Sequence, residues 1–242
     1  MKILKTMAFV ATMIMPIASF GQTLSEDRVK ELVLEAIREN PEIVLEAVRI
    51  IEQREQESQA ATAASVLSDN RDLLDNDPNA PVLGNPDGDV TVVEFFDYNC
   101  PYCRRAMTQV EALLEQDPNV KLVYREWPIL GEGSVFAARA ALASRKQGKY
   151  EEFHWAMMGM QGRAEEPTVI RIAEDLGMDI AQLRRDMESP EIDAHIARSS
   201  ELSRALGFNG TPSFVIGDAL VPGVIDVDQM ITLTEQARAA IQ

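Results

Sequence analysis

The only two cysteines of the 242-residue chain, Cys100 and Cys103, stand three positions apart where an apolar run meets a helical pattern. That junction constrains the fold more than any other feature. The run Val90-Thr91-Val92-Val93-Glu94-Phe95-Phe96 is rich in β-branched and aromatic residues and reads as a buried strand. Residues 100–114 then read as a helix, closed by Asp117-Pro118-Asn119. A Cys-x-x-Cys in this setting is a candidate redox pair, because its first sulfur falls at a helix N-terminus.

The chain on either side extends the pattern. Gly84-Asn85-Pro86-Asp87-Gly88-Asp89 is turn chemistry, and residues 120–124 read as a second strand. Residues 134–206 are largely helical in pattern, with breaks at Gly148, Gly159 to Gly162, Glu166-Pro167, Gly177 and Ser189-Pro190. After Gly207-Phe208-Asn209-Gly210-Thr211-Pro212 come two short strands, 213–216 and 219–221, and a closing helix, 226–240. Strand, helix, strand, helical insert, strand, strand, helix is the order of an α/β domain with helices inserted midway. Its expected extent is 81–242, with the insert at about 134–206.

Three segments precede it. Residues 1–21 read as a signal peptide, with Lys2 and Lys5 as its basic start, an apolar stretch from Met7 to Ile17, and Ser19-Phe20-Gly21 as the cleavage site. The rival reading is an uncleaved anchor, though the stretch is short for a span of ~20 residues. Residues 22–53 read as an arm of two short amphipathic helices. Thr23-Leu24-Ser25-Glu26 has the capping-box pattern, and Asn40-Pro41-Glu42 offers an N-cap, a proline at N1 and a first-turn acid. In the second helix Ile43, Val44, Leu45, Ala47, Val48, Ile50 and Ile51 cover nearly every side but the stripe Glu42, Glu46, Arg49 and Gln53. Such a helix needs a partner, either its own domain or a second copy of the chain. Residues 54–80, polar and rich in Ala, Gln and Asn, read as a partly helical connector with Val66, Leu67, Leu73 and Leu74 as its apolar marks.

Composition narrows the chemistry. Removing residues 1–21 takes the formal charge from −16 to −18, because two lysines and no acid leave. So acidic a surface opposes phosphate backbones, and no nucleic-acid partner is expected. Export places the cysteines in an oxidising compartment, yet a bridge closing so small a loop stabilises little. A reactive role therefore fits better than a structural one. Zinc needs four ligands as a rule, and His154 and His195, 41 residues apart, supply no metal spacing. No cofactor is called for, although two thiolates suit soft Cu(I).

Cys100, as N-cap with Pro101 at N1, faces free backbone N–H groups that favour its thiolate, so it is the expected nucleophile. Cys103, one turn in, is expected to be less exposed and to resolve the mixed disulfide. Taken together, the strand-to-helix Cys-x-x-Cys, the helical insert and a Thr-Pro ahead of a late strand pair resemble the DsbA-like branch of the thioredoxin fold. The marks are Glu94-Phe95-Phe96-Asp97-Tyr98-Asn99-Cys100-Pro101-Tyr102-Cys103 and Gly210-Thr211-Pro212-Ser213-Phe214. The resemblance covers roughly residues 82–240. Residues 23–53 are similar to the arm of the suppressor-of-copper-sensitivity C (ScsC) type.

The resemblance implies a cis bond before Pro212, with Thr211 presenting its backbone to an extended substrate; the plain alternative is a trans proline opening a strand. It implies that Glu94 is a buried acid near Cys103 that relays protons; the alternative is a salt-bridged acid at a strand end. Tyr102, with Pro101, is the tuning residue, and the histidine often found there in strong oxidants of the family is absent. The function implied is an exported, periplasmic thiol–disulfide oxidoreductase, tilted to isomerase or reductase. Its partners would be misfolded or disulfide-bonded exported proteins, a membrane redox partner, and further copies of the chain joined into a dimer or trimer through residues 23–53. The other readings are a monomeric dithiol oxidase and a Cu(I)-binding copper-tolerance protein.

Overall fold

A computed structural model describes residues 25–241, so the expected signal peptide lies outside the described residues. Helices α1 (Glu26–Glu39), α2 (Glu42–Asp69) and α3 (Arg71–Asn76) come first. They are followed by β1 (Val82–Gly84), β2 (Val90–Phe96), α4 (Pro101–Gln116) and β3 (Val120–Glu126). The insert holds α5 (Glu132–Ser144), α6 (Tyr150–Met158), α7 (Glu166–Asp175), α8 (Ile180–Asp186) and α9 (Pro190–Ala205). The hairpin β4 (Ser213–Ile216) and β5 (Ala219–Pro222) and the helix α10 (Val227–Ile241) complete it. The chain divides into two units, residues 1–55 and 56–242.

One five-stranded sheet runs β1-β3-β2-β4-β5, with β2 and β3 parallel and the other pairs antiparallel. Side chains of a strand alternate between faces, and here both faces are covered. Val92 and Phe96 of β2, Leu122 and Tyr124 of β3, and Phe214 and Ile216 of β4 join one core with α4, α10 and the insert. Val93, Phe95, Val123 and Val215 join a second core with Leu67, Leu74, Leu202, Leu206 and Phe208. Double burial is why β2 reads as a continuous apolar run. It also fixes the direction of Glu94, which lies between Val92 and Phe96 on the first face.

The structure differs from expectation at three places ahead of β2. α1 is capped by Ser25, which accepts from the Arg28 N–H at 3.3 Å; Thr23 of the expected capping box lies outside the described residues. The Asn40 side chain donates back to the Ala36 carbonyl at 3.2 Å, closing α1 instead of opening α2. The second helix does not stop near residue 53 but runs unbroken to Asp69. Finally, the later part of segment 54–80 does more than connect: Leu67 and Leu74 are buried in the second core, and Val66 and Leu73 pack against it. There Arg125 of β3, fully buried, pairs with Asp77 at 2.7 Å and donates to the Leu73 carbonyl. The opposed pairing is essential, since either charge left alone in that core would be strongly destabilising.

Candidate active site

β2 ends at Phe96, and the chain turns through Asp97-Tyr98-Asn99 so that Cys100 is the N-cap of α4 and Pro101 its first residue. Proline sacrifices nothing here, because first-turn N–H groups have no intrahelical partner. Both cysteines are free thiols and both are buried, Cys103 more deeply. The Thr211–Pro212 peptide is cis. It sets the Thr211 carbonyl 3.1 Å from the Cys100 sulfur, which donates to it as a thiol.

The two sulfurs are electrostatically unlike. A hydrogen bond from the Cys103 thiol is the largest influence on Cys100; with the Thr211 side chain and the backbone N–H groups of Cys103 and Tyr102 it outweighs burial and brings the Cys100 thiol from 9.0 down to about 6. The sulfur makes no full capping bond of its own, so the helix N-terminus acts on it as a set of nearby dipoles. Burial raises the Cys103 thiol far above its ordinary range, and its bond to Cys100 and the charge of Glu94 add to that. Glu94 is buried, and burial followed by the charge of Cys100 lifts its carboxyl to about 8. A nucleophile ionised at neutral pH thus sits beside a protonated partner thiol and a carboxyl able to exchange a proton near pH 8.

The loop before Cys100 is held from several sides. Asp97 is buried; one carboxylate oxygen accepts from the Asn99 N–H at 2.7 Å, and the other from the N–H groups of Ile129 and Leu130 at 2.8 and 2.9 Å. Its carbonyl accepts from the Cys100 N–H at 3.0 Å. The Asn99 amide donates to Ser134 Oγ at 3.0 Å and accepts from the Ala164 N–H at 2.8 Å, tying the loop to both ends of an insert segment. Gly133 serves the same junction: a Cβ there would stand 2.6 Å from the Ala164 carbonyl. Beyond the adjacent Asn99 and Cys100 N–H groups, the partners of Asp97 and Asn99 lie 32 to 65 residues downstream, so sequence reasoning passed over both. The only signal was two short polar side chains in a strand-to-helix turn, where such groups bond neighbouring backbone.

Tyr102 is 61% exposed and stands at the mouth of a groove of about 570 Å³ that runs past Thr211 between Arg105, Gln109, Val224, Ile225 and Asp226. Sequence reasoning had singled out Tyr102 and Thr211 but not the other walls. The structure brings Cys100, Cys103, Glu94, Thr211 and Pro212 into one site. His154 and His195 are not part of it. His154 is buried against the Tyr98 hydroxyl at 3.1 Å, and burial pulls it down to about 3; His195 faces Glu126 at 2.9 Å. Among the described residues no group of three or more His, Cys, Asp or Glu side chains is arranged to hold a metal ion.

Comparison with known proteins agrees with this geometry. The family described as DSBA-like thioredoxin domain matches residues 91–233. A solved thioredoxin-like oxidoreductase from Silicibacter pomeroyi DSS-3 is 69% identical, covering 70% of this chain and 98% of that one with a TM-score of 0.70. ScsC from Proteus mirabilis, in a compact conformation, is 29% identical over 90% of this chain and 100% of its own, with a TM-score of 0.68. Among curated proteins, the Na(+)/H(+) antiporter NhaA 3 of Salinispora tropica is 28% identical over 161 residues. The chain spans about a quarter of the length of such relatives.

Proposed function

The chain belongs to the DsbA-like thioredoxin-domain family, and from that premise we propose that it is an exported, periplasmic thiol–disulfide oxidoreductase that isomerises or reduces protein disulfides. The observation that carries the chemistry is the asymmetry of the two sulfurs beside the cis-proline carbonyl. Cys100 as thiolate attacks a substrate disulfide; a bond forms between its sulfur and one substrate sulfur while the other leaves as thiolate. That freed thiolate can attack a different substrate sulfur, and the last exchange returns Cys100 unchanged, which is isomerisation. Alternatively Cys103 gives its proton towards Glu94 and attacks Cys100, releasing reduced substrate and leaving the Cys100–Cys103 disulfide. A membrane redox partner would then restore the dithiol.

The inclination to isomerase rests on residues 25–55, whose aliphatic side chains are widely exposed and suit joining several copies around one misfolded client. Tethering raises the effective concentration of neighbouring sites. Reactivation of scrambled ribonuclease tests the whole reading. It should need Cys100 and Cys103, and it should be lost on deletion of residues 22–55 although thiol exchange with small disulfides persists. Full reactivation by the truncated chain would overturn the isomerase assignment, and activity in Cys100→Ser would overturn the nucleophile.

A second reading, a dithiol oxidase, is favoured by the low Cys100 value itself, because stabilising the thiolate favours the reduced pair and makes the disulfide more oxidising. A potential near about −120 mV would mark an oxidase, and one near about −180 mV an isomerase. Tight, stoichiometric Cu(I) binding without disulfide turnover would instead favour copper handling by the same thiol pair.

A further inference from the structure

We propose that Asn209-Gly210, just ahead of the cis-proline pair, is a modification site at which the Gly210 backbone nitrogen attacks the Asn209 side-chain amide, and that the product weakens the hold of Thr211 on Cys100. The modification stands on the loop alone. Its effect on the sulfur rests on the thiol–disulfide reading above.

Asn-Gly occurs once in the chain; every other asparagine is followed by a residue with a Cβ. A Cβ crowds the nitrogen beside it, and glycine leaves that nitrogen open to close approach. The structure supplies the other requirements. Residues 208–212 belong to neither helix nor strand, and Asn209 is exposed. Among the described residues the Gly210 N–H donates to no other group, so no hydrogen bond need break before it turns. A Cβ built on Gly210 would meet nothing within 4 Å, which leaves room for a ring to close. The Gly210 carbonyl, by contrast, is fixed, accepting from Ser213 Oγ at 2.7 Å. Asp87-Gly88, where an aspartyl side chain could close the same ring, is the counter-example. There the Gly88 N–H donates to the Asn85 carbonyl at 2.9 Å, and a Cβ would stand 2.4 Å from the Asn119 carbonyl. A nitrogen bonded and packed in this way is not free to attack.

The chemistry needs only water. The Gly210 nitrogen bonds to Asn209 Cγ as the bond from Cγ to Nδ2 breaks, and ammonia leaves with the proton that Gly210 gives up. Water then opens the cyclic imide at either carbonyl. Opening at Cγ leaves aspartate; opening at the main-chain carbonyl leaves isoaspartate, whose backbone is longer by one methylene. No electrons are transferred. Either product puts a new carboxylate two residues from Thr211, whose side chain helps to hold the Cys100 thiolate and whose carbonyl lies 3.1 Å from the sulfur. A nearby negative charge disfavours a thiolate, and a lengthened backbone moves the Thr211 hydroxyl off the sulfur. Both act in one direction, so Cys100 ionises less readily in the modified chain.

The test ages the reduced, full mature chain at mildly alkaline pH. Peptide mass spectrometry, with methylation by an isoaspartate methyltransferase, locates the product, and the iodoacetamide midpoint reads Cys100. The peptide holding Asn209 should gain the small mass of an amide nitrogen replaced by oxygen and should contain isoaspartate. The aged protein should alkylate with a midpoint above the value of about 6 of the fresh one. Gly210→Ala should lose the mass gain and keep its midpoint on ageing; its backbone is outside the left-handed region and the new Cβ has space, so the variant is expected to fold. Asn209→Asp, which carries the charge from the start, should show a raised midpoint without ageing. No isoaspartate at Asn209, or as much at Asp87 as at Asn209, overturns the modification site. Isoaspartate at Asn209 with an unmoved midpoint overturns its effect on Cys100. A fresh wild-type chain whose thiol does not ionise near pH 6 is a failure of the thiolate reading instead, and the mass result still decides the modification site.

Discussion

Glu94 and Cys100 titrate in opposite senses, and each can be read separately. The rate at which iodoacetamide alkylates the reduced protein follows the Cys100 thiolate, so its midpoint should fall near pH 6. In Cys103→Ala the largest influence on that sulfur is gone, and the midpoint should climb towards the ordinary 9.0. A midpoint that stays near 6 would assign the effect to the helix N-terminus alone. Glu94 is raised from 4.5 to about 8, so between those values the folded chain holds a proton that the unfolded chain has lost. Its contribution to stability is therefore present below 4.5 and lost as pH rises to 8. Urea denaturation of reduced Glu94→Gln against wild type should show the variant gaining about 1.4 kcal/mol per pH unit across that window. Groups shifted by burial alone, such as His154, cancel in the difference. The same variant should accumulate the mixed disulfide, because resolution by Cys103 loses a general base worth about 10²-fold.

Elements whose residues carry their own reason were legible in the sequence; those that depend on distant partners were not. β2 was read to the residue because burial on both faces leaves Thr91 and Glu94 as its only polar positions. The start of α4 followed from Cys100-Pro101, and the insert's breaks followed from its glycines and prolines. Part of segment 54–80 was legible as helix, but not that α2 runs unbroken into it to Asp69, since Ala, Gln and Glu favour a helix by propensity without drawing an apolar face. β1, three residues ending in Gly84, looks like the turn that follows it, and it exists because Pro81 to Gly84 lies against β3. The redox pair and Thr211-Pro212 were visible as motifs. The work of Asp97 and Asn99 was not, because a short polar side chain before a helix looks the same whether it bonds its neighbour or a loop thirty residues away. The burial of Leu67 and Leu74 was hidden for a related reason: two isolated leucines in a polar stretch show no period.

At the scale of the whole molecule, we propose that more than one chain acts together, on the physics of residues 25–55. Val29, Leu32, Val33, Leu34, Ile43, Val44, Leu45, Val48, Ile50 and Ile51 are all exposed, Leu45 and Ile51 each at 62%. Half-exposed side chains of this size still have roughly 1 kcal/mol each to gain on burial, or about 10 kcal/mol per chain. That is comparable with the 4–15 kcal/mol or so that association costs in lost freedom, before three chains share the gain. Direction matters as well. Ile43, Val44 and Leu45 are consecutive, and at 3.6 residues per turn they span about 200° of the helix surface. One flat neighbour cannot cover that arc, so a bundle fits it better than a side-by-side pair. Light scattering of the mature chain should give a mass of two or three chains. Leu45→Lys/Ile51→Lys, which places charge at two points about 120° apart on the helix surface, should reduce it to one chain and remove ribonuclease reactivation while Cys100 still alkylates with its midpoint near pH 6. A wild-type mass of one chain would leave those aliphatics without the role assigned to them, and the oxidase reading would then be the stronger.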